Sequence, residues 1–280
     1  MKRVFVAFLT VVMLFSLGVK AQIIDDTPLD GLYRNDGTID VDPIPLPYIR
    51  KADIMWSKRI WREVDFRQKM NQMFYFPINQ QQNWKSFVTV VLDAIKEGEI
   101  TAYDVLPTDE LLVPISYDEI IKRQTQEFHK TMRRSYPPYD EYDTVIYTTF
   151  DPTKIMRLRI KEDWYFDKQR SQMLVRISAL CPVMIKERNG EEVTEPLFWI
   201  SYPDSRKVLA KALAFNPLNA AMRLSYDEVF IKRLFDSYIY KEQNVYDRRI
   251  SQYATGLDAM LESERIQNEM FNFEQFLWEY

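Results

Sequence analysis

The hydrophobic period along this chain switches from helical to strand-like and back. From Ala52, residues Ile54, Ser57, Ile60, Trp61 and Val64 recur at the i, i+3, i+4 spacing that predicts an amphipathic helix. After Pro77 a second helix is punctuated at both ends, by Asn83 as N-cap and Gly98 as stop, with Trp84, Val88, Val91 and Ile95 on one face. A third opens at Ser116-Tyr-Asp-Glu119, a serine and a glutamate three apart that form a capping box. Its stripe runs through Ile121, Thr125, Phe128 and Met132. Pro137-Pro138 then breaks the chain.

Beyond the prolines the alternation is that of strands. Met156, Leu158 and Ile160 alternate with Arg157, Arg159 and Lys161, and Val175, Ile177 and Ala179 with Arg176 and Ser178. Asn189-Gly190 is a two-residue hairpin signal, and Leu197-Phe-Trp-Ile200 supplies the returning strand. Residues 144–202 therefore read as an antiparallel meander of about four strands. Helices return where Asp204-Ser205 caps Val208 to Phe215, and again at a second box, Ser225-Tyr-Asp-Glu228, before Ile231, Leu234, Phe235 and Tyr238. The tail places Ile266, Met270, Phe273 and Leu277 on one helical side. The two boxes sit in unmatched surroundings, so they are two similar helix starts rather than a repeat. The fold class expected is α+β, with N-terminal helices, a central antiparallel β-meander and C-terminal helices, preceded by an extended N-terminal arm.

That arm is residues 22–47, where Gly31, Gly37, Pro28, Pro43, Pro45 and Pro47 lie among acidic residues without periodicity. It is either a spacer or a segment whose apolar islands, Gly31-Leu-Tyr33 and Ile44-Pro-Leu-Pro47, add a strand to a neighbour. Residues 1–21 read as a cleavable secretory leader: Lys2 and Arg3, an apolar run from Val4 to Val19, and small residues at Val19 and Ala21 before Gln22. The run falls short of the ~20 residues needed to span a bilayer. The single cysteine, Cys181, lies nowhere near that junction, so no lipid anchor is expected. Residues 48–280 are expected to form a single α+β domain, with a sub-boundary near 135–143.

Composition removes whole classes of function. With Lys2, Arg3 and Lys20 cleaved off, 34 basic residues face 41 acidic ones, a net charge of −7, which argues against nucleic acid or anionic lipid as partner. His129, in the third predicted helix and read as a surface residue, is the only histidine. Histidine-based triads and zinc sites are thereby unlooked for. Gly31, Gly37, Gly98, Gly190 and Gly256 form no phosphate-binding loop. Asp36-Gly-Thr-Ile-Asp40 lacks the ligand spacing of a calcium loop. No cofactor, metal or catalytic residue is expected. Cys181, in the apolar run Ile177 to Val183, fits a buried small hydrophobe, with an intermolecular disulfide or a reactive thiol as the alternative.

Aromatic residues are the remaining candidates. Trp164, Tyr165 and Phe166 stand beside charged partners, Tyr202 stands where strand passes to helix, Tyr240 and Tyr246 lie in one short stretch, and Phe273 and Trp278 lie in the tail. Each fits a core ring, the reading preferred here, with a subunit interface as the alternative. The tail helix likewise either closes the protein's own core or forms an interface.

Several words carry a family resemblance: Leu158-Arg-Ile-Lys-Glu-Asp-Trp-Tyr-Phe-Asp-Lys168, Phe198-Trp-Ile-Ser-Tyr-Pro-Asp-Ser-Arg-Lys-Val-Leu209, Tyr240-Lys-Glu-Gln-Asn-Val-Tyr-Asp-Arg248 and Leu261-Glu-Ser-Glu-Arg-Ile266. In this order and spacing, with Tyr48 to Pro77 upstream, the chain resembles the gliding-motility N protein family (GldN, also called PorN) of the type IX secretion system. The resemblance implies a structural subunit in the periplasm, at the inner face of the outer membrane. Its implied partners are the outer-membrane K lipoprotein (GldK/PorK) and further copies of itself in a ring, and the periplasmic part of the motor protein M (GldM/PorM). It implies no catalytic residues. A reading from a different class is a periplasmic carbohydrate- or peptide-binding module, or a hydrolase using paired carboxylates such as Glu162-Asp163.

Overall fold

The computed structural model describes residues 42–278 apart from 82–83, 134, 138–140, 149, 189 and 217–222. The expected leader, most of the arm, the Asp36 to Asp40 stretch and the Asn83 cap lie outside the described residues.

The class is α+β, but its first element differs from the one expected. Ile54–Asp65 is a strand, β1, not a helix. Trp56, Ile60 and Val64 are four apart, a spacing that helix and strand both place on one side. Trp61 separates the two readings. Ile60 packs with Ile239, Ile250, Ile266 and Met270, whereas Trp61 points the other way, to Ala179, Cys181, Val183 and Trp199. Both faces of β1 are covered, so the clean alternation of a half-buried strand is lost.

Along the chain follow α1 (Gln72–Tyr75), α2 (Phe87–Glu97), β2 (Ala102–Tyr103), β3 (Pro114–Ile115), α3 (Tyr117–Gln124), β4 (Gln126–Arg133) and β5 (Glu141–Thr148). Then come β6 (Ile155–Asp167), β7 (Gln172–Arg188), β8 (Glu191–Pro196), β9 (Trp199–Ser201), α4 (Tyr202–Lys211) and β10 (Leu213–Ala214). The chain closes with β11 (Leu224–Ser225), α5 (Tyr226–Ile231), β12 (Tyr238–Glu242) and α6 (Leu257–Trp278).

Eight strands make one sheet in the order β12-β1-β6-β7-β9-β2-β3, with β8 also on β7. All its pairings are antiparallel. The meander expected between 144 and 202 is its centre, but β5 is not part of it. β5 pairs with β4 in a separate two-stranded ladder.

The third helix is correspondingly shorter than its stripe. Ser116 accepts the Glu119 amide as predicted, and Thr125 ends the helix with its hydroxyl on the Ile121 carbonyl at 2.9 Å. Phe128, His129 and Met132 then lie in β4, opposite Ile146, Val145 and Tyr142. Again the positions four apart, Phe128 and Met132, satisfied both periods. His129 is thus a strand residue, and Pro137-Pro138 follows a strand rather than a helix.

The best-punctuated elements form where expected, with shifted ends. α2 starts at Ser86, which accepts the Thr89 amide, and stops at Gly98, where φ of 79° suits the residue lacking a Cβ. β7 pairs with β8 as the hairpin signal predicts, with φ of 82° at Gly190, and β9 rather than β8 carries the Trp199-Ile200 pair. α4 begins two residues before Asp204 and carries Pro203 in its first turn. It ends at Lys211, short of Phe215. α5 has the full capping box of Ser225 and Glu228 but ends at Ile231, and Tyr238 opens β12 instead of extending the helix.

Helices α1, α2, α4 and α5 cover one face of the sheet. Phe74 sits at the hub of their aromatic core, with Phe66, Phe87, Phe230, Tyr226 and Phe235 between 5.4 and 6.5 Å from it, centroid to centroid. The Tyr226 hydroxyl, wholly buried there, donates to the Lys85 carbonyl at 2.9 Å, so its polar atom is satisfied. α6 covers the β1–β12 end through a smaller cluster in which Ile266 and Met270 are buried. Of its predicted stripe, Ile266 and Met270 pack into the chain's own core, while Phe273 and Leu277 are half-buried.

Candidate interaction face

The face of the sheet turned away from these helices is built from charge. Register sets Arg59, Trp61, Glu63 and Asp65 of β1 directly opposite Asp163, Lys161, Arg159 and Arg157 of β6. Directly opposite residues in an antiparallel pair share a face. Three of the four pairs are therefore acid against base. Arg59 grips Asp163 through two nitrogens at 2.6 and 3.2 Å. Glu63 takes Arg159 on one oxygen and Arg157 on the other, both at 2.9 Å, and the Tyr238 hydroxyl donates to it at 2.6 Å.

Aromatic rings separate the charges. Trp61 lies between two ammonium groups, Lys241 at 4.2 Å and Lys161 at 5.8 Å from its ring, and Arg159 stacks 4.8 Å over Tyr240. The loop after β2 closes the edge of this face. Lys161 donates to the Asp109 carbonyl at 2.9 Å and pairs with Glu110, while Val105 and Leu111 pack on the apolar strip of β7 and β9. Glu63, Arg159 and Lys161 are all buried. Buried charge is tolerable only when paired; Glu63 and Arg159 find each other one strand away, and Lys161 finds Asp109 and Glu110 in the loop after β2.

Cys181 lies in this layer, opposite Arg159 and fully buried. Burial pushes its thiol up to about 12, outweighing the attraction of Arg159, so the thiolate needed for exchange is scarce. The hydrophobe reading holds; nothing in its surroundings activates it.

Two further polar clusters lie on the helix-covered side. Glu162, fully buried, receives Arg233 at 2.9 and 3.3 Å and the Trp164 indole at 3.0 Å, with the Arg62 guanidinium 3.4 Å away. Burial lowers the Arg62 pKa despite Glu162 beside it. In the second cluster Asp227 accepts the Tyr202 hydroxyl at 2.7 Å and two Arg206 nitrogens at 2.9 and 2.8 Å. Burial and the Asp227 carboxylate both push the Tyr202 hydroxyl up. Arg206 also reaches the Ile44 carbonyl at 2.6 Å, and Arg176 bonds that of Pro47. The described end of the arm, 42–47, is thus pinned to its own chain in no strand.

The eight candidate rings are scattered rather than gathered. Tyr165, Phe166 and Tyr202 are buried within the chain, and Trp164 is half-buried between Arg62 and Arg233. Phe273 stacks on Trp56 at 4.9 Å, and Tyr240 lies on the opposite, charged face. Tyr246, in the loop after β12, is 73% exposed, and the Trp278 side chain lies outside the described residues. The sequence reading missed Trp61, Glu63 and Lys241. The signal available was the run of bases at 157, 159 and 161, which called for an acidic strand opposite.

Among the described residues no group of three or more His, Cys, Asp or Glu side chains is placed to hold a metal ion. Among them, too, no helix is long and apolar enough to cross a membrane. Glu162 and Asp163, adjacent in a strand, face opposite sides of the sheet and are each tied to arginine, which is no arrangement for a carboxylate pair sharing one substrate. No curated protein matches the chain. One family does: the match to "Gliding motility associated protein GldN" runs over residues 49–279, from just before β1 to beyond α6. The chain belongs to the GldN family, a component of the gliding-motility machinery.

Proposed function

We propose that the chain is a structural subunit of the type IX secretion and gliding machinery, forming a periplasmic ring with the outer-membrane K lipoprotein and linking it to the M motor protein. The observation that carries this reading is the family match across the whole described fold. A structural role is supported because Glu63, Arg157, Arg159 and the Tyr238 hydroxyl on the charged face bind one another, where an active site would leave such groups turned to a substrate. After cleavage before Gln22 the protein resides in the periplasm, and its attachment to the outer membrane is lent by the lipidated partner.

The test is native purification from the outer-membrane fraction, followed by electron microscopy and N-terminal sequencing. A very large particle containing the lipoprotein and a chain starting at Gln22 is expected. A small species running alone, or a chain retaining Met1, contradicts the reading.

A further inference from the structure

α6 carries a second apolar stripe that its own chain does not use. Ile266 and Met270 face the sheet and are buried. On the opposite side of the same helix, Leu257, Met260, Leu261 and Phe271 are 69, 66, 53 and 56% exposed. Their offsets of 3, 4 and 14 from Leu257 return to one side at 3.6 residues per turn. Exposed Leu or Met residues are ordinary singly, but four on one helical face of a helix already docked by its other face are a patch. Glu264 lies on that stripe, exposed and without an ion pair among the described residues.

Charge decides what can cover it. Asp258, Glu262, Glu264, Glu269 and Glu274 stand against Arg265 alone on this helix. Arg265 is itself taken, by Glu262 at 2.8 Å and Glu269 at 3.3 Å. A second copy's α6 would bring the same acidic excess. The chain's own residues 22–41 bring Asp25, Asp26, Asp30, Asp36 and Asp40 against Arg34. An anionic lipid surface is repelled in the same way.

We infer that the outward face of α6 docks a basic amphipathic segment of another protein, a helix whose apolar side meets Leu257, Met260, Leu261 and Phe271 and whose Lys or Arg side chain pairs with Glu264. Helix-to-helix docking of this kind takes its affinity from the apolar anchors and its choice of partner from the flanking charges. This inference stands whether or not the chain forms a ring.

The test uses the full chain in its own cells, with a photo-crosslinking amino acid at position 261 or 271 and the adduct mapped by mass spectrometry. The expected result is that both positions map to one basic amphipathic segment of a different protein. Glu264→Lys should cut adduct yield about tenfold while leaving the thermal midpoint unchanged, since the side chain is exposed. Adducts to a second copy's α6, to lipid, or to an acidic segment overturn the inference. So does the absence of adducts at both positions, and so does a yield that Glu264→Lys leaves unchanged.

Discussion

The two faces of the central sheet solve the same problem in opposite ways. On the helix-covered face, Val64, Leu158, Ile160, Leu180 and Ile200 meet α1, α2, α4 and α5 in an apolar core packed with rings. On the other face, the same strands turn Glu63, Arg157, Arg159 and Lys161 into a layer that is nearly as buried. The first arrangement tolerates many side chains of suitable volume. The second tolerates few, because each charge depends on a partner fixed by register. A slip of one residue between β1 and β6 would set Glu63 beside an apolar neighbour and leave two arginines unpaired. Hydrophobic burial thus holds the sheet together, while the ion pairs specify how its strands align.

The largest effect is expected on the apolar side. Phe230→Ala empties a site ringed by Phe74, Phe87, Tyr202 and Phe235, and is expected to cost about 3–5 kcal/mol. Urea unfolding measures it, and a loss below about 1 kcal/mol would mean this core is not packed as described.

On the charged side, Glu63→Gln keeps the shape but strips the charge facing Arg157 and Arg159. The expected loss is about 2–4 kcal/mol. Replacing Glu63, Arg157 and Arg159 together with methionine should destabilise less than Glu63→Gln alone, because no charge is then left unpaired. If the triple replacement is the worse of the two, hydrogen bonding beyond the ion pairs holds this face.

A smaller effect is expected at the rim of the ladder. Burial raises the Asp65 carboxyl, but the bonds from Arg67 and the charge of Arg157 outweigh it and hold the group below its ordinary value. A depressed folded value means that the stabilisation is complete above the unfolded carboxylate pKa and is lost as pH falls through the folded one. Asp65→Asn should therefore lower the urea midpoint at neutral pH, with the gap from wild type narrowing below about pH 4. A gap that is constant with pH would contradict the ion-pair origin.

The smallest perturbation is at Cys181, where labelling tests burial without changing the fold. A thiol reagent at mildly alkaline pH should label the native protein far more slowly than the unfolded chain. Equal rates would open the layer that Cys181 shares with Trp61 and Trp199.

How much of this was legible in the sequence depended on whether a signal was local. The two Ser-Tyr-Asp-Glu boxes, Gly98 and Asn189-Gly190 act within a few residues of themselves, and each marks a real element boundary or turn. β1 and β4 were hidden by apolar residues four apart, where the two periods coincide. The Glu63 cluster was legible only by half: the bases at 157, 159 and 161 call for acid opposite, but not for a particular strand. Its members come from β1, β6 and β12, and nothing in any one segment records which strand lies beside it. The Asp227 clamp joins two segments that the sequence reading did single out, at Tyr202 to Arg206 and Ser225 to Glu228, without showing that they meet.

The most direct test of the register claim is a double-mutant cycle at Glu63 and Arg159, using Glu63→Gln, Arg159→Met and the pair together in urea unfolding. The side chains touch at 2.9 Å in a buried layer, so the cycle should return a coupling energy of about 1.5–3 kcal/mol. Losses that add to within about 0.5 kcal/mol would show that the two residues do not act on each other, and the charged face would then not be what sets the alignment of β1 on β6.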